Sequence, residues 1–155
     1  MKKLGLFSPE QLERAEVMAS RKDCVYSLFM DREALWNPAT IDMILHEFPR
    51  GLVDEADLFL ILAECIANAV MHGQAKALGL FVRKRSGVLL LSFYQIPALL
   101  PRIHMVLKMA AAGKTKDLTD TLPGGMGFPI LLRITRRITV SHDATSLQLW
   151  LGTKG

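Results

Sequence analysis

The segment LAECIANAVMHG, Leu62–Gly73, is the part of the chain that decides the predicted fold. The helix predicted around it is almost entirely apolar, yet Glu64, Asn68 and His72 recur at every fourth position. At about 3.6 residues per turn, side chains at this spacing share one line along a helix. A helix that is apolar all round is normally buried, and each buried polar group without a partner costs about 1–3 kcal/mol. Either other side chains satisfy this line of polar groups, or it faces a polar cavity.

The composition of the chain predicts one globular unit with a single core. The chain has 155 residues, of which 50% are hydrophobic and 22% are charged. Its longest wholly apolar run is Leu58–Ala63, far shorter than the roughly 18 residues of a membrane span, so we expect no membrane segment. The first residues, MKKLGLF, lead at once into the polar SPEQLERAE and leave no apolar stretch for a secretion signal. Cys24 and Cys65 lack metal-ligand spacing, so we expect both to be small hydrophobic core residues. Two unpaired cysteines also favour a reducing cytoplasm as the location of the protein.

The charge of the chain is moderately basic, with a formal net charge of +4. Basic residues cluster at Arg83-Lys84-Arg85 and again at Arg133 with Arg136-Arg137. Nucleic-acid binding is one interpretation, but the sequence has no recognisable recognition helix and few aromatic residues. We therefore expect solvated faces or an acidic protein partner, and no direct contact with nucleic acid.

The order of the predicted elements indicates an α/β (α+β) two-layer sandwich. Helices are predicted at about 9–22, 37–48, 54–72, 102–112 and from 128, and strands at about 25–30, 77–83, 88–94, 138–142 and 146–151. Strands paired as hairpins between helices predict a mixed, mainly antiparallel sheet with helices on one face. Residues 113–127 are polar, Gly-rich and without periodicity, and so predict a long loop. We divide the chain into an N-terminal helical extension, residues 1–24, and a domain, residues 25–155.

Two motifs in this order resemble a known family. The helix carries Glu64-x-x-x-Asn68-Ala-x-x-His72-Gly73, and the long loop ends in Gly124-Gly125-Met126-Gly127 before the next helix. Together they resemble the ATP-binding domain of the GHKL superfamily, the Bergerat or histidine-kinase-like ATPase fold. Within it, they are most similar to the anti-sigma-factor serine/threonine kinases. The resemblance covers about residues 25–151, which is most of the chain.

The resemblance implies ATP and Mg²⁺ as cofactors and assigns roles to the polar helix. Asn68 would bind the nucleotide and the metal, because an amide carbonyl is a hard oxygen ligand that suits Mg²⁺ bridging phosphates. Glu64, one turn earlier, would be the catalytic base that orients or deprotonates a hydroxyl or water. These roles make the polar line the wall of a phosphate and metal pocket.

The rest of the nucleotide site is also assigned by the resemblance. Gly124, Gly125 and Gly127 would let the backbone approach the phosphates, next to the free N–H groups of the helix that follows. Thr145 would form a hydrogen bond at the adenine end, as a threonine of the closing strand does in the family.

The sequence departs from the family at its D-x-G-x-G box, which receives the adenine amino group. The corresponding stretch is Tyr94-Gln95-Ile96-Pro97-Ala98, which has no Asp and neither Gly. A shift of one residue puts Gln95 at the Asp position, where its carbonyl oxygen could accept a hydrogen bond from an amino group.

Two functions of different class follow from the resemblance. The first is an ATP-binding regulatory protein of bacterial signalling and transcription regulation that phosphorylates or sequesters a protein partner. That partner would be a sigma factor or an anti-sigma antagonist-like protein, and the family also implies a cytoplasmic homodimer. The alternative is a catalytically dead GHKL-fold protein-binding module that no longer binds nucleotide, which the altered D-x-G-x-G box favours.

Overall fold

The computed structural model describes residues 9–71, 74–97, 127–143 and 145–153. Its elements in chain order are α1 (Pro9–Ser20), β1 (Cys24–Asp31), α2 (Arg32–Trp36), α3 (Ala39–Glu47), α4 (Glu55–Met71), β2 (Ala77–Arg85), β3 (Val88–Ile96), α5 (Gly127–Ile134), β4 (Arg137–Val140) and β5 (Ser146–Gly152). The helix expected at 102–112 and nearly all of the loop expected at 113–127 lie outside the described residues. None of the described helices is long and apolar enough to span a membrane.

The five described strands form one antiparallel sheet in the order β1-β2-β3-β5-β4. The prediction of an α+β protein is confirmed, but that of a mixed sheet is wrong for the described strands, because every pairing is antiparallel. The physical reason lies in the connection from β1 to β2. Helices α2 to α4 return the chain to the end of the sheet at which β1 finishes, so that Asp31 faces Ala77 at the start of β2.

The main core lies between the sheet and the layer formed by α3, α4 and α5. Alternate residues of β2 and β3 point into this layer, as the two-residue period of a strand requires. Side chains that contribute from the strands and from α4 are Leu78, Leu80, Val82, Leu89, Leu91, Phe93, Leu58, Ile61, Leu62, Cys65 and Ile66. This layer fixes the side of α4 that faces the sheet.

Helix α1 packs on the opposite face of the sheet, so the prediction that all helices lie on one face is wrong. Ala15 is buried there in a second cluster with Ala77, Phe81, Tyr94 and Ile96. The physical reason is that the central strands are apolar on both faces, and a strand of this kind needs a cover on each side. The predicted N-terminal extension therefore contributes to the packing of the sheet.

Local signals in the sequence account for several element ends. The side chain of Asp54 accepts hydrogen bonds from the backbone N–H groups of Ala56 and Asp57, which caps α4 as expected. Ser86 and Gly87, both with positive φ, form the predicted two-residue turn between β2 and β3. The short helix α2 was not predicted, although Asp31 caps it by accepting a hydrogen bond from the backbone of Ala34.

The two ends of the sheet hold different elements. The "turn end" holds the turn at Ser86 and Gly87 together with the starts of β1 and β4. The "α4 end" is opposite and holds the last residues of β1 and β3 and the first of β2 and β5. Helix α4 runs toward this end, because only a short connection separates its last residue, Met71, from β2.

Candidate functional site

Helix α4 is buried on one side only, and the expectation that it is buried all round is wrong. Six of its residues face the core: Leu58, Ile61, Leu62, Cys65, Ile66 and Ala69. Phe59 and Met71 keep 46% and 69% of their surface exposed. Glu64 and Asn68 are half-buried, so they lie at the border between the core-facing side and the outer side.

Glu64 and Asn68 lie on the flank of α4 that points away from α2 and α3. A groove of about 280 Å³ separates α4 from α2 and α3, and it is lined on the α4 side by Ala63, Ala67 and neighbouring residues. At about 100° per residue, Glu64 and Asn68 fall on the other flank of the helix. Helix α5 packs against α4, so we call the pair Glu64 and Asn68 the polar flank on the α5 side.

The polar flank has no protein partner among the described residues. Neither the carboxylate of Glu64 nor the amide of Asn68 makes a hydrogen bond or ion pair with another side chain or backbone group in residues 9–71, 74–97, 127–143 and 145–153. The neighbouring thiol of Cys65 has a raised pKa, first because it is buried and second because of the Glu64 charge. Of the two explanations for the polar line, a satisfied network is not found in the described part. His72 and Gly73 lie outside it.

The glycine turn is described only at its last residue. Gly127 is the first residue of α5, whereas Gly124 and Gly125 lie outside the described residues. Helix α5 is anchored by Leu131, which is fully buried, and is joined to β4 by only two residues. A connection this short reverses the chain, so α5 runs antiparallel to β4 and begins toward the α4 end of the sheet.

Gln95 and Thr145 are brought together at the α4 end. The backbone N–H of Gln95 donates to the carbonyl of Thr145 at 2.7 Å. The side chain of Gln95 is buried and lies opposite Leu78, whose side chain packs in the layer of α4. Tyr94 instead belongs to the cluster under α1. Either Tyr94 or, after a shift of one residue, Gln95 aligns with the Asp of the family's D-x-G-x-G box. Of these two residues, only Gln95 lies on the α4 side of the sheet.

The side chain of Gln95 also has a hydrogen bond of its own. Its amide nitrogen donates to the carbonyl of Pro97 at 2.9 Å. This contact orients the amide at the end of β3, because a buried amide in such a bond does not rotate freely. Position 95 therefore carries a buried polar side chain of defined orientation at the end of β3.

Asp143 is a further polar centre at this end, and the sequence analysis missed it. Its carboxylate accepts hydrogen bonds from the hydroxyl of Thr145 at 2.5 Å, the hydroxyl of Ser141 at 2.8 Å and the guanidinium of Arg14 at 2.6 Å. Partial burial raises the pKa of Asp143, but these hydrogen bonds outweigh it and hold that pKa well below the usual range. An Asp two residues before a Thr is typical of such a turn, whereas the contact with Arg14 depends on the tertiary fold.

The predicted site residues are thus only partly described and only partly assembled. The polar flank and the start of α5 lie in the helix layer. Gln95 and Thr145 lie at the α4 end of the sheet. The hydroxyl hydrogen of Thr145 is committed to Asp143, while its oxygen keeps lone pairs that can accept a hydrogen bond. Within the described residues, no group of three or more His, Cys, Asp or Glu side chains could hold a metal ion.

We compared the chain with protein-family models and with curated proteins, and neither comparison found a relative. No protein-family model matches the chain, and no curated protein shows a significant similarity to it.

Proposed function

We propose that the protein binds ATP with Mg²⁺ at the polar flank of α4 and uses this site to regulate a protein partner. The observation that carries the proposal is that Glu64 and Asn68 are half-buried on the α5 side of α4 without a partner among the described residues. A partly desolvated carboxylate or amide without a hydrogen-bond partner is unfavourable in a folded protein. A bound ligand that supplies those partners removes the penalty.

The chemistry of the two side chains fits a nucleotide and its metal. Asn68 offers an amide oxygen, and Mg²⁺ in nucleotide sites takes one or two protein oxygens and completes its shell with water and phosphates. The absence of a dense acidic cluster among the described residues is compatible with such a site, since phosphates supply the remaining charge. Asn68 would hold the metal against the helix, where the metal would neutralise phosphate charge.

Glu64 then has the role of a base in phosphoryl transfer. In this proposal its carboxylate accepts the proton of a serine or threonine hydroxyl on the partner, while the phosphoryl group passes from ATP to that oxygen and ADP leaves. The partner would be a sigma factor or an anti-sigma antagonist-like protein, by resemblance to the anti-sigma-factor kinases. The same resemblance supports the Bergerat arrangement of the fold, a cytoplasmic site of action and a homodimer.

The base end of the proposed site lies at Gln95 and Thr145. Gln95 lies on the α4 side of the sheet, and its backbone is hydrogen-bonded to Thr145. Gly127, at the start of α5, lies toward the same end and would be near the phosphates. This arrangement supports a nucleotide that extends from the end of β3 and the start of β5 toward α4 and α5.

A second function is favoured by the altered box. Gln95 replaces a carboxylate, and Ile96, Pro97 and Ala98 provide neither glycine of the family pattern. A site built to receive an amino group loses discrimination when its acceptor is changed. In the second function the chain keeps the fold and the partner surface but binds no nucleotide, and acts as a protein-binding module.

Calorimetric titration of the full chain with ATP and Mg²⁺ separates the two functions. We expect binding that Asn68→Ala weakens about tenfold or more. Glu64→Gln should retain most of the binding but lower ATP turnover by about 10²-fold or more, because it removes the base. Glu55→Gln is the matched control, since it makes the same change at an exposed position in the first turn of the same helix.

Each outcome of this titration has a consequence. Absence of binding heat with the wild-type chain refutes the nucleotide site and leaves the protein-binding module. Equal effects of Glu64→Gln and Glu55→Gln on turnover would assign no special role to Glu64. Incubation with labelled ATP and a sigma factor or antagonist protein then tests whether a serine or threonine receives the phosphoryl group.

A further inference from the structure

A row of side chains crosses the sheet near its turn end, on the face opposite the α4 layer. Arg83 of β2 lies opposite Leu90 of β3, Leu90 lies opposite Trp150 of β5, and Trp150 lies opposite Arg137 of β4. Side chains directly opposite each other in neighbouring strands project from the same face of a sheet. Leu91 and Leu149, the alternate residues of β3 and β5, are buried in the main core, so this row points away from it.

Two more arginines join the row. Arg85 lies two residues after Arg83 and shares its carboxylate partner, Asp23, with contacts of 2.7 and 2.9 Å. The guanidinium of Arg136 lies over Gly152, where an added Cβ would be 2.5 Å from its Nη2 atom. Gly152 is two residues after Trp150 and so faces the same way.

Together these residues form a surface that we call the arginine face. It consists of Arg83, Arg85, Arg136 and Arg137 around Trp150, with Leu90 beside it. The guanidinium carbon of Arg137 lies 5.8 Å from the centre of the Trp150 ring, which orients both side chains. The indole N–H of Trp150 points to the hydroxyl of Thr139 at 3.4 Å.

The arginine face carries more positive than negative charge. Hydrogen bonds from Arg83 and Arg85 hold the pKa of Asp23 at about 2, so this single carboxylate is ionised at neutral pH. Arg136 and Arg137 have no carboxylate partner in the part of the chain that the structure describes. Among the described residues, the four guanidinium groups of the arginine face thus have one carboxylate partner, Asp23, which leaves an excess of positive charge.

The fold brings together two basic runs that are distant in the sequence. The run at residues 83–85 lies in β2 and the run at 136–137 leads into β4, with β3 and β5 between them. Three strand spacings correspond to about 14 Å. Among the described elements, α1 covers the other part of this face, where its cluster contains Phe81 and Tyr94.

We propose that the arginine face binds an acidic segment of a partner protein, with an apolar side chain of that segment on Trp150 and Leu90. Arginine matches carboxylates with paired hydrogen bonds, and Trp and Arg are both enriched among the residues that contribute most to binding energy in protein interfaces. The proposal rests on charge and sheet geometry and does not require the nucleotide site. It assigns a surface at the turn end, away from the proposed ATP site at the α4 end.

Two other occupants fit the surface less well. Single-stranded nucleic acid is bound by several aromatic side chains on which bases stack. The described part of the arginine face offers one, Trp150, because Phe81 and Tyr94 lie in the cluster under α1. A second copy of this chain that used the same face would bring arginine against arginine, which is unfavourable.

Fluorescence anisotropy with a defined probe tests the proposal. The probe is a labelled acidic peptide of about 12 residues, rich in Glu with a few Leu, titrated with the full chain at about 0.1 M salt. We expect saturable binding that weakens about tenfold or more in the double variant Arg136→Glu/Arg137→Glu. The matched control, Arg32→Glu/Arg50→Glu, makes the same change of net charge at exposed arginines elsewhere and should weaken binding about twofold or less.

A second variant keeps the net charge constant. Gly152→Ala forces the Arg136 guanidinium to move, and since this group is the end of a flexible side chain, the fold should be retained. We expect weaker peptide binding with unchanged circular dichroism. In a Trp36→Phe background, Trp150 is the only tryptophan, and its emission should change as the peptide binds.

Three outcomes overturn the proposal. The first is absence of peptide binding, and the second is an equal loss of binding in both double variants, which would indicate attraction by net charge alone. The third is tighter binding of an oligothymidine of similar length that depends on Arg136 and Arg137, which would make the face a nucleic-acid surface. Because none of these measurements involves ATP, failure here leaves the proposed nucleotide site untouched.

Discussion

Replacement of Asn68 by alanine distinguishes a functional polar group from a structural one. If Asn68 were part of a buried hydrogen-bond network, its removal would lower the free energy of unfolding by about 1–3 kcal/mol. Its amide has no partner among the described residues and is only half-buried. Alanine also has a helix propensity more favourable than that of asparagine by about 0.5 kcal/mol. We therefore expect Asn68→Ala to raise the free energy of unfolding by up to about 0.5 kcal/mol.

Urea unfolding followed by circular dichroism measures this change. With a denaturant dependence of about 2 kcal/mol per molar urea, the midpoint of Asn68→Ala should rise by up to about 0.3 M. The control is Asp54→Ala, which removes the acceptor of the hydrogen bonds from Ala56 and Asp57 at the start of the same helix. It should lower the free energy of unfolding by about 1 kcal/mol and the midpoint by about 0.5 M.

A decrease of about 1 kcal/mol or more in the unfolding free energy of Asn68→Ala, on the order of a lost buried hydrogen bond, would contradict this prediction. That result would mean that the amide stabilises the fold, and the polar flank would no longer support a ligand site. A neutral or stabilising effect, together with loss of ATP binding in the same variant, is the pattern of a residue retained for function at the expense of stability.

Three further predictions concern other parts of the molecule. Leu131→Ala should lower the free energy of unfolding by about 2–5 kcal/mol because Leu131 is fully buried. The control, Leu132→Ala, removes a side chain that is 42% exposed and should change the free energy of unfolding by about 0.5 kcal/mol or less. Urea unfolding measures both changes. The pKa of Asp23 is lowered from 3.8 to about 2, so its contribution to stability is present above about pH 4 and is lost as the pH falls toward 2. The stability difference between wild type and Asp23→Asn should therefore shrink across that range, and a constant difference would contradict the ion pairs. Native labelling with a thiol reagent at about pH 8 should modify the half-buried Cys24 well before Cys65, whose burial raises its pKa, and equal rates would refute the placement of Cys65.

The Arg14–Asp143 pair connects a terminal helix to the far end of the chain. It joins residues 129 positions apart, in α1 and in the turn between β4 and β5. Thr145, a predicted site residue, donates its hydroxyl hydrogen to the same carboxylate. A ligand at the start of β5 would therefore affect the turn that α1 contacts, so α1 and the proposed base end share one hydrogen-bonded cluster.

Local patterns in the sequence determined the described elements other than α2, together with their approximate ends. Asp54 predicted the start of α4, and Ser86-Gly87 predicted the turn of the central hairpin, because caps and tight turns depend on a few neighbouring residues. A change of period to β-rich runs on both sides of the turn signal predicted the strands of that hairpin. The spacing of Glu64 and Asn68 predicted that they share one side of α4, which follows from helix geometry alone.

Tertiary structure alone decided which faces these elements present to one another. Nothing local indicates that α1 covers the second face of the sheet, or that the connection from β1 to β2 makes these two strands an antiparallel pair. Only the pairing register shows that Gln95, and not Tyr94, lies on the α4 side, since a shift of one residue reverses the face of a strand. The runs at 83–85 and 136–137 lie on one surface because β2 and β4 belong to the same sheet, with only β3 and β5 between them. Such contacts join residues far apart in the chain, and their free energy comes from packing that no short stretch of sequence encodes.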